Sequence, residues 1–218
     1  MNQAAPQNMP SSAKLIQLMG TVSLVCGLLI VSTHQATLAP IRANQETIMR
    51  QTVAELLPGA NKQITYGVDG SGNLTVLQGV DAPGPKLFAG YDASGKLIGV
   101  VLEGADRGYA DVIRAMYSYS LEKQAIIGFK VTELKETPGL GDKIVTDPKF
   151  LANFKELDAS LKNRIVTVKS GTKKNKWEID AISGATISSR AVGRLIDKSA
   201  KEMIPIIQRN RQRIEGGN

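Results

Sequence analysis

The sequence predicts an α+β fold in which one folded domain follows a single N-terminal transmembrane helix. Three observations support this prediction: an uncharged apolar stretch near the N-terminus, runs of strand-forming residues separated by turn signals, and a few amphipathic helical segments. Hydrophobic residues make up 42% of the 218-residue chain and charged residues make up 22%. These proportions are close to those of soluble globular proteins, so the chain can bury an ordinary packed core.

The apolar stretch Leu15–Thr33 contains no charged residue. At about 1.5 Å per residue, a helix of this length spans roughly 28 Å, close to the hydrocarbon core of a bilayer. The sequence therefore predicts a short tail over residues 1–14 and a transmembrane helix over residues 15–34. A cleaved signal peptide is the alternative, but its apolar core is normally shorter, and Thr33–Ala36 is a poor cleavage site. Basic residues lie on both sides of the span, so charge alone does not settle its orientation.

The rest of the chain is predicted to form a connecting helix over 35–62, a folded domain over 63–207 and a basic C-terminal tail over 208–218. In the connecting segment, Asn44–Leu57 has helical periodicity, and Pro58-Gly59 ends it. Residues 64–104 are predicted to be rich in β-structure. The other predicted elements are a short helix over Asp111–Lys123, a strand over Ala125–Leu134, a helix over Phe150–Leu161, two strands, Ile165–Lys169 and Trp177–Ile182, around a lysine-rich turn, and an amphipathic helix over Ser188–Ile204 with Pro205 near its end.

Charge and rare residue types exclude several classes of function. The net charge of +7 favours anionic partners such as phosphates or lipid headgroups. Aromatic residues are only 5%, and no zinc-finger or helix-turn-helix spacing is present, so nucleic acid is not predicted as a partner. Because Cys26 and His34 are the only residues of their types, we predict no internal disulfide, no metal site and no catalytic residues of the Ser-His or Cys-His kind. Any redox chemistry therefore needs a bound cofactor.

Residues 180–189, Asp-Ala-Ile-Ser-Gly-Ala-Thr-Ile-Ser-Ser, place a strand, a turn of small residues and a helix start in succession. The first turn of a helix leaves backbone N–H groups unpaired, and its dipole favours an anion. Gly184 and Ala185 keep side-chain bulk away, so a phosphate can reach the backbone there. Plain N-capping by Asp180 or Ser183, with no ligand, is the alternative. The lysine of a nucleotide-binding P-loop and the Gly-x-Ser-x-Gly elbow of hydrolases are both missing.

A second motif lies at residues 136–144, which read Glu-Thr-Pro-Gly-Leu-Gly-Asp-Lys-Ile. Pro138 restricts the backbone, whereas Gly139 and Gly141 permit angles or close approaches that other residues do not tolerate. The pattern predicts a rigid turn. A surface loop that joins a strand to the next element is the alternative.

The two motifs carry a resemblance to a known family. The Asp-x-x-Ser-Gly-Ala-Thr run over 180–186 resembles the motif of FMN-binding domains that carry the flavin on the threonine through a phosphoester bond. The Glu-Thr-Pro-Gly-Leu-Gly run over 136–141 is typical of the same proteins. Over nearly its whole length the chain resembles the G subunit of the Rnf/Rsx ion-translocating electron transport complex, a relative of the C subunit of the sodium-pumping NADH:quinone reductase.

The resemblance implies a membrane-anchored electron-transfer subunit of an ion-translocating oxidoreductase, with covalent FMN as its cofactor and little activity alone. It implies a place in the cell inner membrane, with the folded domain on the periplasmic side. The implied partners are the other subunits of the complex and a flavin transferase that takes FMN from FAD with magnesium. Two other functions are compatible with the residues: a membrane-tethered module that binds an anionic ligand non-covalently, and a structural assembly subunit.

The resemblance also implies roles for individual residues. Thr186 is implied as the FMN attachment residue, and Ser188 and Ser189 stand where such domains carry a serine or threonine. The recognition turn would comprise Asp180, Ser183, Gly184 and Ala185. The segment beside the flavin ring would comprise Glu136, Thr137, Gly139, Leu140 and Gly141, with Thr137 and Leu140 in contact with the flavin. A Gly-Tyr stretch, here Arg107–Ile113, is expected to pack beneath the pocket, and Leu134 stands where the family often has a histidine.

Overall fold

The computed structural model describes residues 11–77 and 84–217, and it confirms the predicted α+β class. Part of the predicted 1–14 tail, residues 78–83 of the predicted β-rich segment and the last residue of the predicted C-terminal tail lie outside the described residues. Contacts divide the chain into one unit that ends at Gln45 and a second that begins at Glu46. The second unit contains the sheet and both sequence motifs.

The first helix, α1 (Ser12–Leu56), is 45 residues long and contains Pro40. It includes the predicted transmembrane segment over 15–34 and all but the last residue of the helix predicted over Asn44–Leu57. The two predicted elements are therefore parts of one continuous helix. The helix continues through Pro40 although proline lacks the N–H that would complete the helical hydrogen bond. Within the described residues, α1 has the length and apolar composition needed to cross a membrane, as a signal sequence near the N-terminus also can.

Seven strands form one antiparallel sheet with the spatial order β2-β1-β3-β4-β5-β6-β7. The strands are β1 (Lys62–Val68), β2 (Leu74–Leu77), β3 (Lys86–Tyr91), β4 (Leu97–Arg107), β5 (Val112–Ser120), β6 (Ala125–Glu133) and β7 (Leu157–Asp158). The β-rich segment predicted over 64–104 is confirmed for its described residues, and the strand predicted over Ala125–Leu134 is confirmed as β6.

The prediction of a short helix over Asp111–Lys123 is wrong, because this segment forms β5. Tyr117 and Tyr119 belong to the main core on one face of the sheet. Met116 belongs to a smaller core on the other face, where it packs with Val53 and Leu57 from the end of α1 and the residues after it. Because both faces are covered, β5 is buried almost continuously and lacks the alternation of polar and apolar residues that identifies a strand in sequence.

The helix predicted over Phe150–Leu161 is also corrected. After α2 (Lys143–Thr146), helix α3 (Pro148–Ala152) passes into a 3₁₀ turn over Asn153–Lys155. Glu156 then adopts φ −160° and ψ 55°, which is not helical, and the chain continues as β7 at the sheet edge. The predicted helix is therefore helical only over its first half, residues 150–155, before the chain turns to pair with β6.

The last part of the chain builds the region of the first motif, residues 180–189, around a small parallel sheet. Strands β8 (Val166–Val168) and β9 (Glu178–Asp180) confirm the two strands predicted around the lysine-rich turn, and they pair in parallel. Helix α4 (Thr186–Arg209) begins earlier than predicted and continues past Pro205. Residues 211–216 of the predicted basic tail form α5 (Arg211–Gly216), whose Ile214 is fully buried.

Candidate functional site

The turn before α4 depends on a glycine. Gly184 has φ +83°, a left-handed conformation that residues with a Cβ rarely adopt. The Ala185 N–H donates a hydrogen bond to the carbonyl of Ile182 across the turn, with an N···O distance of 3.1 Å. A turn with positive φ at its third residue requires glycine or asparagine. The predicted small-residue turn is therefore present, and it delivers the chain directly into Thr186 at the start of α4.

Ser189 holds this turn closed from inside the helix. Its Oγ accepts a hydrogen bond from the buried N–H of Ile182 at 3.1 Å and donates one to the carbonyl of Ala185 at 2.9 Å. Ser189 itself is completely buried. One hydroxyl thus connects the end of the β9 segment to the first turn of α4. In the sequence analysis, Ser189 was noted only because related domains have a serine or threonine at this position. Its structural role was not predicted.

Replacing Ser189 by alanine is expected to lower the free energy of unfolding by about 1–2 kcal/mol, because the Ile182 N–H loses its acceptor in a buried position. For a unit of this size, the loss corresponds to a melting temperature lower by about 2–8 °C. Thermal unfolding of the unflavinylated chain measures it. The matched control is Ser170→Ala, at an exposed serine, which should change the melting temperature by less than about 2 °C. Equal effects of the two substitutions would contradict the role of Ser189.

The start of α4 lacks a side-chain cap within the described part of the chain. The N-cap residue is Ala185, and no side-chain cap hydrogen bond to the first turn is present among these residues. The alternative in which Asp180 or Ser183 caps the helix is therefore wrong. The Asp180 carboxylate instead accepts hydrogen bonds from the Gly171 and Thr172 N–H groups, with the closest at 2.8 Å. The first-turn N–H groups next to the half-buried Thr186 thus keep the partial positive charge of an uncapped helix start.

A basic residue adds to this positive potential. Arg190 is exposed and lies four residues after Thr186, so the two side chains occupy the same side of α4. Helical side chains lean towards the N-terminus, so the Arg190 side chain can reach the first turn. The local charge is therefore suited to an anion bound at Thr186.

Asn153 fixes the backbone of Asp180, where the first motif begins. Its Oδ1 accepts a hydrogen bond from the Asp180 N–H at 3.0 Å, and its Nδ2 donates to the Asp180 carbonyl at 3.2 Å. Lys173 Nζ donates to the same Oδ1 at 3.0 Å, and desolvation holds the pKa of Lys173 below its usual range. Asn153 is buried and lies in the 3₁₀ turn, far from the motif in sequence. Sequence reasoning missed this residue because nothing local distinguishes it.

Glu136 joins the two motifs. Its carboxylate accepts hydrogen bonds from the Tyr109 N–H at 2.9 Å, the Ala110 N–H at 3.2 Å and the Ser188 hydroxyl at 2.8 Å. Glu136 is buried, and these donors belong to two segments distant in sequence. One carboxylate therefore holds the 136–141 loop, the loop between β4 and β5 and the first turn of α4 in one place.

Two glycines make room for this carboxylate. A Cβ at Gly108 would collide with Glu136 Oε1, and a Cβ at Gly141 would collide with Glu136 and would lie 2.9 Å from Ser188 Oγ. Gly139 has a different role, because its φ of +77° places it in the left-handed region within the turn. The Leu140 N–H donates to the Thr137 carbonyl at 3.2 Å across that turn. A turn is thus present at residues 138–142, within the segment 136–144 for which it was predicted, and the following residues start α2.

Three large apolar side chains remain exposed on the segments that Glu136 joins. Tyr109 is 68% exposed, Leu140 is 51% exposed and Ile187 is 50% exposed. The expectation that the Arg107–Ile113 stretch packs beneath a flavin pocket stays a prediction, and the exposed Tyr109 side chain is compatible with it. Exposed apolar groups on three converging segments are suited to contact with a planar apolar ligand. Among residues 11–77 and 84–217, no group of His, Cys, Asp or Glu side chains could hold a metal ion.

Comparison with known proteins identifies a family domain that spans both motifs. A family model described as "FMN-binding domain" matches residues 108–201, which include both motifs. The G subunit of the ion-translocating oxidoreductase complex of Methanosarcina acetivorans is 33% identical over 182 residues, covering 82% of this chain and 87% of the relative. The chain belongs to this G-subunit family.

Other members of the G-subunit family cover similar shares of the chain. The G subunit of the Na⁺-translocating ferredoxin:NAD⁺ oxidoreductase complex of Acetobacterium woodii is 28% identical, covering 82% of this chain and 85% of the relative. Among solved structures, Shewanella oneidensis NqrC aligns with a TM-score of 0.58 and 24% identity, covering 72% of this chain and 87% of that chain. At this identity the structural likeness establishes the fold alone.

Proposed function

We propose that the chain is the membrane-anchored flavoprotein subunit of an ion-translocating oxidoreductase complex and carries FMN on Thr186 through a phosphoester bond. The main support is the uncapped start of α4, where the Thr186 hydroxyl follows a Gly184 turn and lies beside free helix N–H groups. The hydrogen bond between Glu136 and Ser188 brings the second motif to the same place. These residues fit FMN, because an anion site and exposed apolar side chains lie side by side.

Attachment needs no redox change. A flavin transferase brings FAD with magnesium, and the Thr186 hydroxyl oxygen forms a bond to the phosphorus on the FMN side. The pyrophosphate P–O bond breaks, AMP leaves with the electron pair, and the hydroxyl proton is released. In this proposal, Asp180, Ser183, Gly184 and Ala185 form the turn that the transferase recognises, and the turn's lack of bulk gives it access.

When bound, the flavin would supply chemistry in which two electrons are accepted together and passed on one at a time. The chain's own residues would orient it. The first turn of α4 and Arg190 would hold the phosphate, while Thr137 and Leu140, together with Tyr109 and Ile187, would contact the ring. The hydrogen bond between Glu136 and Ser188 would hold the segments that carry these contacts in fixed positions, and contact of both residues with the cofactor belongs to the same proposal. No proton-transfer residue is required for this role.

Helix α1 anchors the protein in the cell inner membrane, and the unit that begins at Glu46 lies on the periplasmic side among the other subunits of the complex. The anchor is supported by the length and apolar composition of α1. Protease digestion of sealed spheroplasts tests the orientation. Periplasmic exposure predicts cleavage of the folded unit without lysis, and complete protection would contradict it.

Thr186→Val tests the attachment while preserving the shape of the side chain. With co-expressed flavin transferase, the wild-type chain should gain the mass of one FMN less one water on the peptide containing Thr186. The valine variant should gain nothing, because it has no hydroxyl. Thr146→Val, at an exposed threonine at the end of α2, is the matched control and should load normally. An unmodified wild-type chain from its native membrane would contradict the proposal.

The uncapped helix start also favours a second candidate, a membrane-tethered module that binds a phosphate-bearing ligand without a covalent bond. Denaturation separates the two functions, because only an esterified flavin stays with the unfolded chain. Colour lost on denaturation would select the module. A colourless chain made beside an active transferase would instead select a structural assembly subunit.

A further inference from the structure

The loop between β8 and β9 carries a cluster of exposed lysines. Residues 149–176 contain eight basic and two acidic residues, whereas the whole chain contains 27 and 20, so most of the excess positive charge lies in this segment. Within it, five exposed lysines belong to the loop or to the 3₁₀ turn before β7: Lys155, Lys169, Lys173, Lys174 and Lys176. We call these five lysines the basic face.

Contacts between the loop and the 3₁₀ turn bring these lysines together. Lys173 Nζ donates a hydrogen bond to Asn153 Oδ1 at 3.0 Å, and Lys176 Nζ lies 3.6 Å from Glu156 Oε2. Lys155 stands between Asn153 and Glu156 in the chain. The loop therefore packs against the 3₁₀ turn, and the basic face is one surface built from two segments.

Nearby carboxylates hold the loop in a defined shape. Glu178 accepts hydrogen bonds from the Lys174 N–H at 2.7 Å and the Asn175 N–H at 3.0 Å. Asp180 accepts hydrogen bonds from two N–H groups nearer the start of the loop. Because these carboxylates bind the backbone, they fix the positions from which the lysine side chains project.

Three ammonium groups of the basic face have no ion pair. Within residues 11–77 and 84–217, no salt bridge involves Lys155, Lys169 or Lys174. Clustered charges of one sign raise the local potential, and a surface of opposite charge is their natural complement. The basic face therefore fits an acidic surface.

The basic face adjoins the motif that contains Thr186. Asn153, which contacts Lys173, also binds both the N–H and the carbonyl of Asp180. Thr186 follows Asp180 by six residues, so their Cα atoms are at most about 20 Å apart. An interface of standard size covers about 800 Å² on each partner, which is roughly 30 Å across. One interface can therefore include both the basic face and the start of α4.

We propose that the basic face binds an acidic surface on another protein subunit of the complex and so brings that subunit next to the flavin. The inference rests on the proposed function, which puts the flavin on Thr186. A protein is favoured over anionic lipid as the occupant, because electrons leave the flavin only through a neighbouring carrier, and a subunit bound here lies beside it.

Photo-crosslinking of the full chain in its native membranes tests the contact. Ser170 is exposed and lies next to Lys169, so its replacement by p-benzoylphenylalanine places a photoreactive group within the basic face. Illumination should crosslink the chain to another subunit, at a peptide rich in aspartate or glutamate that mass spectrometry identifies. Adding Lys169→Gln with Lys174→Gln should lower the crosslink yield by about 5-fold, because two exposed charge pairs are lost.

Two further pairs of substitutions make this result specific. Lys169→Arg with Lys174→Arg keeps both charges and should give the wild-type yield. Lys62→Gln with Lys96→Gln removes two exposed lysines elsewhere on the sheet and should also leave the yield unchanged. Of these two control lysines, Lys96 is the closer to β7, at a distance of three strands or about 14 Å across the sheet.

Every variant is checked for folding by its melting temperature. If the paired glutamine variant unfolds, Lys174→Gln alone should still lower the crosslink yield by about 2-fold, because one of the two charge pairs is lost.

The outcomes separate this inference from the proposed function. A crosslink to lipid assigns the basic face to the membrane surface and overturns the inference. The absence of any crosslink, or an equal effect of the two glutamine pairs, overturns it as well. When intact mass finds flavin on Thr186, each of these results overturns the basic face alone. A wild-type chain without flavin mass overturns the proposed function, and a charge-dependent crosslink to an acidic peptide would then still support the contact itself.

Discussion

Replacing Glu136 by alanine is expected to lower the free energy of unfolding by about 3 kcal/mol, or the melting temperature by about 6–12 °C. The carboxylate is the acceptor for three donors, from Tyr109, Ala110 and Ser188. Without it, the Ser188 hydroxyl stays buried with no acceptor, while the two N–H groups in the exposed loop can partly turn to water. Thermal or denaturant unfolding of the flavin-free chain measures the loss.

The same substitution should slow flavin loading beyond the effect of stability alone, because the 136–141 loop and the start of α4 lose their connection. Loading is measured by intact mass at a temperature where the variant is fully folded. Glu136→Gln keeps one acceptor oxygen and should give intermediate results. Glu133→Ala removes a glutamate with exposed ion pairs to Arg114 and Lys135, and should cost less than about 1 kcal/mol. Loading of Glu136→Ala at the wild-type rate would show that the connection is dispensable.

The role of Glu136 could not be predicted from sequence, and the reason is physical. Its donors lie 26, 27 and 52 residues away along the chain. The 136–141 motif predicts a turn from its proline and glycines, but it carries no information about which distant N–H groups meet the carboxylate. A glutamate is also rarely buried unless paired, so the sequence favours an exposed side chain. The implied contact between Glu136 and the cofactor stays a prediction.

Local features were predictable where one short segment determines them. The turn at Gly184 follows from a glycine between small residues, and α4 follows from its apolar periodicity, with Val192, Leu195, Ile196 and Met203 buried as predicted. Strand β5 was not predictable in this way. Its pattern reflects two different cores, one beneath α4 and one beneath the end of α1, and neither exists until the chain has folded.

Asn153 is a second residue whose role at the first motif could not be predicted from sequence. Its replacement by alanine is expected to lower the free energy of unfolding by about 2–4 kcal/mol. The change removes the acceptor for the Asp180 N–H and the donor to the Asp180 carbonyl, both near the buried core. Lys173 loses the acceptor for its ammonium group while it stays partly desolvated. We expect a melting temperature lower by about 4–16 °C in the flavin-free chain.

A matched control and a graded variant make this expectation specific. Asn163→Ala, at an exposed asparagine, should leave stability within about 0.5 kcal/mol of wild type. Asn153→Asp keeps an acceptor for the Asp180 N–H and for Lys173, but it loses the donor to the Asp180 and Phe150 carbonyls and faces them with a carboxylate oxygen. It should therefore retain only part of the stability that alanine loses. If Asn153→Asp were as destabilising as alanine, repulsion from these carbonyls would offset what the remaining acceptor contributes. If Asn153→Ala matched wild type, the hydrogen bonds of Asn153 would not be needed to hold Asp180.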